Sequence, residues 1–203
     1  MARNLHPTFG PFSNEFIVRQ TSAVADKMRE WFQAGSARTL VTRPLRDTEM
    51  TMAHVARDYA EHDPAVVIPA DDAFLIVLYL TDVEHSDIWQ DRPPSPLRIY
   101  PEGSICLVNL ANGAAIAVRG QFEALVIHLP RKHLAELAEQ TGEPPVDDLA
   151  VCRGIDDPTV RDIGAALLPL IGEYEVDQSL VAHIALALNA HIAHCYGRSR
   201  RTH

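Results

Sequence analysis

Residues 156–197 read DDPTVRDIGAALLPLIGEYEVDQSLVAHIALALNAHIAHCYG, and this stretch decides how the chain is organised. Asp157-Pro158 is a typical helix start, because aspartate caps free backbone amides and proline suits the first helical position. The later part, residues 179–196, is apolar on nearly every side and ends at Gly197. A helix of this kind must bury most of its circumference. The stretch therefore predicts a helical hairpin whose second helix packs into a core, a partner subunit or both.

The region before the hairpin consists of short apolar runs with a period of two residues. Turn residues such as Pro93-Pro94 and Glu102-Gly103 separate the runs, and Asn112-Gly113 predicts a tight β-hairpin. Many short, evenly spaced strands are typical of a sandwich or barrel. The predicted strands are 38–43, 49–57, 72–80, 84–90, 97–100, 104–110, 114–119 and 122–128.

These patterns predict an α+β fold, in which a β-barrel is followed by the C-terminal helical hairpin. Residues 1–37 are predicted to form an N-terminal arm and a short helix. Residues 38–129 would form the barrel, and residues 130–203 the helical region.

The composition limits the classes of partner and the compartment. A net charge of −9 argues against strong DNA binding by this chain alone, since its one basic cluster is Arg198, Arg200 and Arg201. No apolar run approaches the roughly 20 residues that span a bilayer, so no membrane partner is expected. The three cysteines are odd in number and far apart, which fits a reducing cytoplasm.

The motifs for catalysis and metal binding are missing from the sequence. The chain contains no His-x-His pair, and His54, His85 and His128 lie on separate predicted strands, where each is interpreted as structural or incidental. His191 and His194 could ligate a metal across a dimer, although a polar stripe on a helix is the more usual explanation. No nucleophile or phosphate-binding motif is present. We therefore predict no catalytic residue, no metal and no cofactor.

A binding module needs only an apolar cavity with a few polar groups. The alternating residues of strand 72–80 and the large aromatic of the next strand are candidates, and His54 shares a strand face with Met50 and Met52. The alternative is that all of them fill the core, because a small barrel is only just wide enough for a ligand. The predicted ligand-binding residues are His54, Phe74, Ile76, Leu78 and Trp89.

The last helix carries a ridge of large apolar residues spaced by four. We expect this ridge to meet its copy in a two-fold dimer, with burial inside the same subunit as the alternative. The predicted interface residues are Leu180, Ile184, Leu188 and Ile192.

Residues 70–197 resemble the N-terminal regulatory half of AraC-type transcriptional regulators. Six phrases carry the resemblance in order and spacing: DDAFLIVLYL (71–80), IWQDRPP (88–94), YPEGSICLVNL (100–110), FEALVIHLPRKHLAEL (122–137), IDDPTVRDIGAALLPLI (155–171) and LVAHIALALNAHIAHCYG (180–197).

The resemblance implies a cupin-like sensor barrel, a double-stranded β-helix, followed by helices that mediate homodimerisation. It also implies that promoter DNA is read by helix-turn-helix motifs C-terminal to these residues, in a half of the protein that is absent from this chain. The expected function is that of a non-catalytic, cytoplasmic bacterial domain that senses a small-molecule effector and dimerises. The alternative is a stand-alone cupin-like enzyme, such as a metal-dependent oxygenase or isomerase.

Overall fold

A computed structural model describes residues 23–34, 37–46, 48–142, 144, 146–173 and 175–198. The predicted N-terminal segment 1–37 is therefore described from residue 23 only, without residues 35 and 36. Arg200 and Arg201 of the basic cluster also lie outside the described residues. The helices are α1 (Ala23–Trp31), α2 (Lys132–Thr141), α3 (Pro158–Leu167) and α4 (Gln178–Tyr196). The strands are β1 (Arg38–Thr42), β2 (Met50–Tyr59), β3 (Val66–Ile68), β4 (Ala73–Tyr79), β5 (Val83–Ile88), β6 (Arg98–Tyr100), β7 (Ser104–Asn109), β8 (Ala114–Pro130), β9 (Asp148–Leu149), β10 (Cys152–Asp156) and β11 (Gly197–Arg198).

Nine of the strands form two antiparallel layers that share one long strand, and β9 and β11 pair separately. The larger layer has the order β1-β2-β8-β4-β7-β10, and the smaller layer joins β3, β5 and β6 to the first half of β8. Strand β8 enters the larger layer at Gly120, which pairs with Tyr59 of β2. Two facing antiparallel layers, with α2, α3 and α4 on one outer face, confirm the predicted α+β, cupin-like fold.

The turn at Asn112-Gly113 corrects one prediction. The backbone amide of Gly113 donates to the carbonyl of Leu110, so the tight turn is present. The strands on either side of it are not partners, because β7 pairs with β4 and β10 while the start of β8 pairs with β3 and β5. The chain uses this turn to cross from one layer to the other rather than to close a hairpin.

Two hydrophobic cores lie on opposite faces of the larger layer. Because successive side chains of a strand point to opposite faces, each strand serves both cores. The interior core, between the layers, contains Leu75 and Val77 of β4 together with Met28 and Phe32 from the α1 segment. The outer core joins the other face of the sheet to the helices and includes Met50, Met52, Phe74, Ile76, Leu78, Leu125, Ile127, Leu134, Val160, Leu167, Val181, Ala185, Leu188 and Ile192.

The predicted C-terminal helices are present, and α3 is capped as expected. The Asp157 carboxylate accepts a hydrogen bond from the amide of Val160 at 3.0 Å and so caps α3, whose first residue is Pro158. Asp177 caps α4 through the amides of Ser179 and Leu180. Within the described ranges, no helix combines the length and the apolar character needed to cross a membrane.

The predicted dimer ridge on α4 is not a single surface, and this is a correction. Leu188 and Ile192 are 1% and 0% exposed in the outer core of their own subunit, whereas Leu180 is 49% exposed and Ile184 is half-buried. A residue every four positions advances by about 40° around a helix of 3.6 residues per turn. The ridge therefore rotates from solvent at Leu180 into the core at Ile192.

Candidate functional site

A narrow cavity of about 40 Å³ lies between the two layers of the barrel. Its wall is mostly apolar, and one residue from the α1 segment takes part in it. The lining residues are Phe32, Ile68, Leu75, Val77, Tyr79, His85, Asp87, Cys106, Val108, Ala114, Ala115, Ile116, Phe122 and Arg153. A small apolar space with a few polar groups is the usual form of a binding site.

His85 is the most unusual polar group on this wall. Its side chain points inward from β5, stacks on Tyr100 with 4.1 Å between ring centroids, and is only 2% exposed. Its Nε2 atom lies 2.7 Å from the Tyr79 hydroxyl, but Nδ1 has no hydrogen-bond partner among the residues that the structure describes. Burial lowers the pKa of His85 to about 4, so the imidazole is neutral at pH 7.

Tyr79 links His85 to a buried thiol. The Tyr79 hydroxyl lies 3.5 Å from Cys106 Sγ, to which it can donate, and burial raises the pKa of both groups. At neutral pH the tyrosine, the cysteine and the histidine are all uncharged. The cluster can therefore exchange hydrogen bonds with a bound molecule without placing a net charge inside the barrel.

An ion pair lies where the cavity meets the outside. Arg153 Nε is 3.4 Å from Asp87 Oδ2, and Arg153 Nη1 donates to the carbonyl of Leu107 at 3.1 Å. Strand β10 carries a bulge between Arg153 and Ile155, with Gly154 at φ +63°. A bulge re-aims the neighbouring side chain, and here it accompanies an arginine on the cavity wall.

The cavity continues into a wide cleft of about 980 Å³ on the barrel surface. Trp89 lines this cleft, and the Arg92 guanidinium lies 3.8 Å from its ring centroid. The cavity and the cleft share six lining residues, which form the throat between them: Ile68, Asp87, Val108, Ala114, Ala115 and Arg153.

The structure corrects the predicted faces of four candidate ligand residues. Phe74, Ile76 and Leu78 point away from the cavity into the outer core against the helices. His54 lies outside the cavity, 2.8 Å from Glu123 Oε1 and 2.9 Å from an Arg38 guanidinium nitrogen. The choice of face was wrong because β4 is buried on both sides, so its apolar sequence does not show which alternate residues face inward. Of the five, Trp89 alone lines the cleft or the cavity.

Five polar residues of the site were missed by the sequence reasoning. Two of them could have been found from Trp89. Alternate residues of a strand share a face, so Asp87 and His85 lie on the same face as Trp89. Tyr79 follows from the same period once Leu75 and Val77 are known to face inward. Arg153 has no comparable signal, since a bulge interrupts the alternation of β10. Cys106 has none either, because residues 104–107 of β7 are buried on both faces. The missed residues are Tyr79, His85, Asp87, Cys106 and Arg153.

The described part of the chain contains no group of three or more His, Cys, Asp and Glu side chains placed to hold a metal ion.

Comparison with known proteins finds similarity in structure only. No protein-family model and no curated protein sequence matches the chain. A cupin family protein with a double-stranded β-helix fold from Methanocaldococcus jannaschii is 19% identical, with 47% of this chain and 84% of that one covered and a TM-score of 0.31. A predicted oxalate decarboxylase from Thermotoga maritima is 13% identical, with 48% and 96% covered and a TM-score of 0.28. An oxalate decarboxylase is 8% identical, with 53% and 32% covered and a TM-score of 0.32.

These comparisons correct the prediction that the chain is not an enzyme. Two of the structures just named are described as oxalate decarboxylases, one of them as a predicted one. The resemblance of this chain to AraC-type regulators stays a prediction.

Proposed function

We propose that this chain binds a small organic molecule in the throat and cavity of its barrel, as the ligand-sensing and dimerisation domain of a cytoplasmic AraC-type transcriptional regulator. The observation that carries the proposal is the unpaired Nδ1 of His85 on a mostly apolar wall. A buried polar group without a partner costs about 1–3 kcal/mol, which a ligand group can recover by hydrogen bonding to it.

The size of the cavity limits the ligand. At about 40 Å³ it is well below the roughly 150 Å³ of a cavity that holds benzene. A ligand would therefore keep its bulk in the cleft beside Trp89 and insert only a slim group towards His85. Asp87 and Arg153 lie at the junction, where they can bind a polar part of the same molecule.

The arrangement of β4 supports a sensing role. Leu75 and Val77 face the cavity, while Ile76 and Leu78 alternate with them and pack against the helices. A ligand that displaces the inner face of β4 changes the packing of α3 and α4 on its outer face. The ligand shifts the balance between two arrangements of the barrel and the helices only if it binds the two arrangements with different affinity.

The solvent face of α4 supports dimerisation through a second copy of this chain. Its exposed residues His183, Ala187, Ala190 and His194 recur at intervals of four and three, which is a helix-pairing repeat. Exposed Leu180 lies at the start of the same face. The two alanines allow close approach of an identical helix about a two-fold axis. Promoter recognition is assigned to helix-turn-helix motifs outside this chain.

A thermal-shift screen of small organic molecules tests the barrel site, because a ligand that binds only the folded state raises its Tm. Val108→Trp would fill the throat and His85→Phe would remove Nδ1 while keeping a ring against Tyr100. Both should abolish the Tm increase. Ile99→Trp, at a 68% exposed position of β6, is the matched control and should keep it. An increase that persists in both Val108→Trp and His85→Phe would place binding elsewhere.

A cupin-like enzyme is the second candidate, and the contact between Tyr79 and His85 favours it. A phenol and a neutral imidazole 2.7 Å apart are able to pass a proton to and from a bound substrate. Each molecule that raises Tm should therefore be incubated with the protein and followed by NMR. Conversion that is lost in His85→Phe would support the enzyme, whereas unchanged ligand together with a ligand-dependent change in sedimentation would support the sensor.

A further inference from the structure

A second cluster of reactive groups lies at the end of α4, apart from the barrel cavity. Cys195 Sγ lies 3.7 Å from His191 Nδ1, one helical turn earlier on the same helix. The other ring nitrogen, His191 Nε2, is 2.9 Å from Asp157 Oδ2. The Tyr196 hydroxyl donates to the same carboxylate oxygen at 2.7 Å. The order thiol, imidazole, carboxylate is that of an activated nucleophile with an oriented base.

Asp157 determines the position of the proton on His191. Burial would raise the pKa of Asp157, but hydrogen bonds from His191, Val160 and Tyr196 outweigh it and hold the pKa below its usual value. An ionised carboxylate only accepts hydrogen bonds, so His191 Nε2 carries the proton. The lone pair of Nδ1 then faces Cys195 Sγ and can accept the thiol proton.

We propose that Cys195 is a nucleophilic thiol that takes up a soft electrophile of the α,β-unsaturated carbonyl class. The sulfur forms a C–S bond to the β-carbon as the carbon–carbon π bond breaks. His191 Nδ1 removes the thiol proton, which returns through solvent to the α-carbon. The addition has no leaving group and needs no oxidant or reductant.

Accessibility separates Cys195 from the other two cysteines. Cys195 is exposed, while Cys106 is 2% exposed inside the barrel and Cys152 is partly buried on β10. At about 100° per residue, Cys195 shares a flank of α4 with His191 and Ile184, away from the face of His183 and Ala190. The thiol is therefore reachable even when the solvent face of α4 is covered by a second copy.

The charges around Cys195 act in opposite directions. The C-terminal end of a helix disfavours an anion by about 0.3–1 kcal/mol, and Cys195 lies in the last turn of α4. Asp157, Cys152 and Cys195 act on the pKa of Tyr196, the residue after Cys195, and none of the three is a cation. Transfer of the proton to His191 places an imidazolium beside the thiolate, and this pairing must outweigh the helix terminus.

The test uses the whole chain and N-ethylmaleimide, an electrophile of the proposed class, with the adduct at each cysteine quantified by mass spectrometry. At pH 7 the rate at Cys195 should exceed that of N-acetylcysteine by about fivefold to tenfold, because a free thiol ionises only near pH 8.5. His191→Asn should remove this excess at pH 7. At pH 9.5, where thiols ionise without a base, the two proteins should react within about twofold of each other.

Two variants separate activation from structure. Asp157→Asn retains the cap to Val160 through its amide oxygen but places an amide donor where Oδ2 accepts from His191 and Tyr196, so it should lower Tm modestly and lose several-fold in rate at pH 7. His194→Asn changes an exposed histidine next to Cys195 and should react like the wild type. His191→Gln provides a second substitution if His191→Asn fails to fold. A wild-type rate in His191→Asn and His191→Gln at both pH values, or a Cys195 no faster than N-acetylcysteine, would overturn the proposal.

Discussion

Replacement of Leu188 by alanine tests which side of α4 is buried in its own subunit. Leu188 is 1% exposed and packs in the outer core with Val181, Ala185 and Ile192. The substitution removes three carbons from a site enclosed by the sheet and the other helices. It therefore loses the burial of those carbons and leaves a cavity, unless the neighbours move to fill it.

The expected magnitude follows from the burial. Leucine-to-alanine changes at fully buried sites cost about 3–5 kcal/mol, of which part depends on the residual cavity. For a chain of this length, about 3 kcal/mol corresponds to a fall in Tm of roughly 6–12 °C. Leu180→Ala deletes the same atoms from a side chain that is 49% exposed, and should cost less than about 1 kcal/mol.

Urea denaturation followed by circular dichroism, run with both variants at the same protein concentration, measures the difference. Equal slopes with a lower midpoint for Leu188→Ala would report a true loss of stability. If Leu188→Ala proved no less stable than Leu180→Ala, or if it only dissociated a dimer at unchanged Tm, the assignment of Leu188 to the subunit's own core would be refuted.

Three further predictions concern protonation, backbone conformation and assembly. Burial holds the pKa of His85 near 4, below the usual 6.5, so the unfolded chain takes up the proton first as pH falls. The free energy of unfolding should then drop by up to about 3 kcal/mol between pH 6.5 and 4, and urea titrations of His85→Phe should show a smaller drop. Gly154→Ala should lower Tm more than Gly142→Ala, although both glycines have positive φ. A Cβ at Gly154 would lie 3.1 Å from Tyr100, whereas a Cβ at Gly142 would meet open space. Ala190→Glu should leave Tm within about 2 °C of the wild type and shift sedimentation towards the monomer, whereas an unchanged dimer would exclude the solvent face of α4 from the interface.

Much of the fold follows from local sequence patterns. The period of two located most strands, and the Asp157-Pro158 start located α3, because strand alternation and helix caps depend on neighbouring residues. The pairing register between strands that are distant in sequence was harder to predict. Residues 114–119 and 122–128 were predicted as two strands, yet β8 runs without a break from Ala114 to Pro130. Strand β3 was missed because it is short, and strand β10 was missed because it is bulged.

The site was harder to predict than the fold. The sequence AFLIVLY of β4 is apolar at every position, and all seven residues are buried. Local alternation therefore cannot tell the cavity face from the helix face, and the residues chosen were one position out of register. Arg153 joins Asp87 from a strand 66 residues away in sequence, through a contact that only the completed fold brings about. On α4, the ridge at intervals of four was too long to remain on one face.

The sharing of β8 between both layers has a consequence for how the chain folds. Strands β2 and β4 are not partners of each other, and each is held in the larger layer by the second half of β8. The edge of β2 that faces β8 therefore stays unpaired until residues 120–128 are available. Contacts this distant in sequence slow folding, because the entropy of closing the intervening loop is lost before any pairing energy is gained. During synthesis, the strands up to Asn109 leave the ribosome with unpaired edges. The smaller layer cannot close until Arg119 has emerged, and the larger layer cannot join β2 to β4 until Pro130 has emerged.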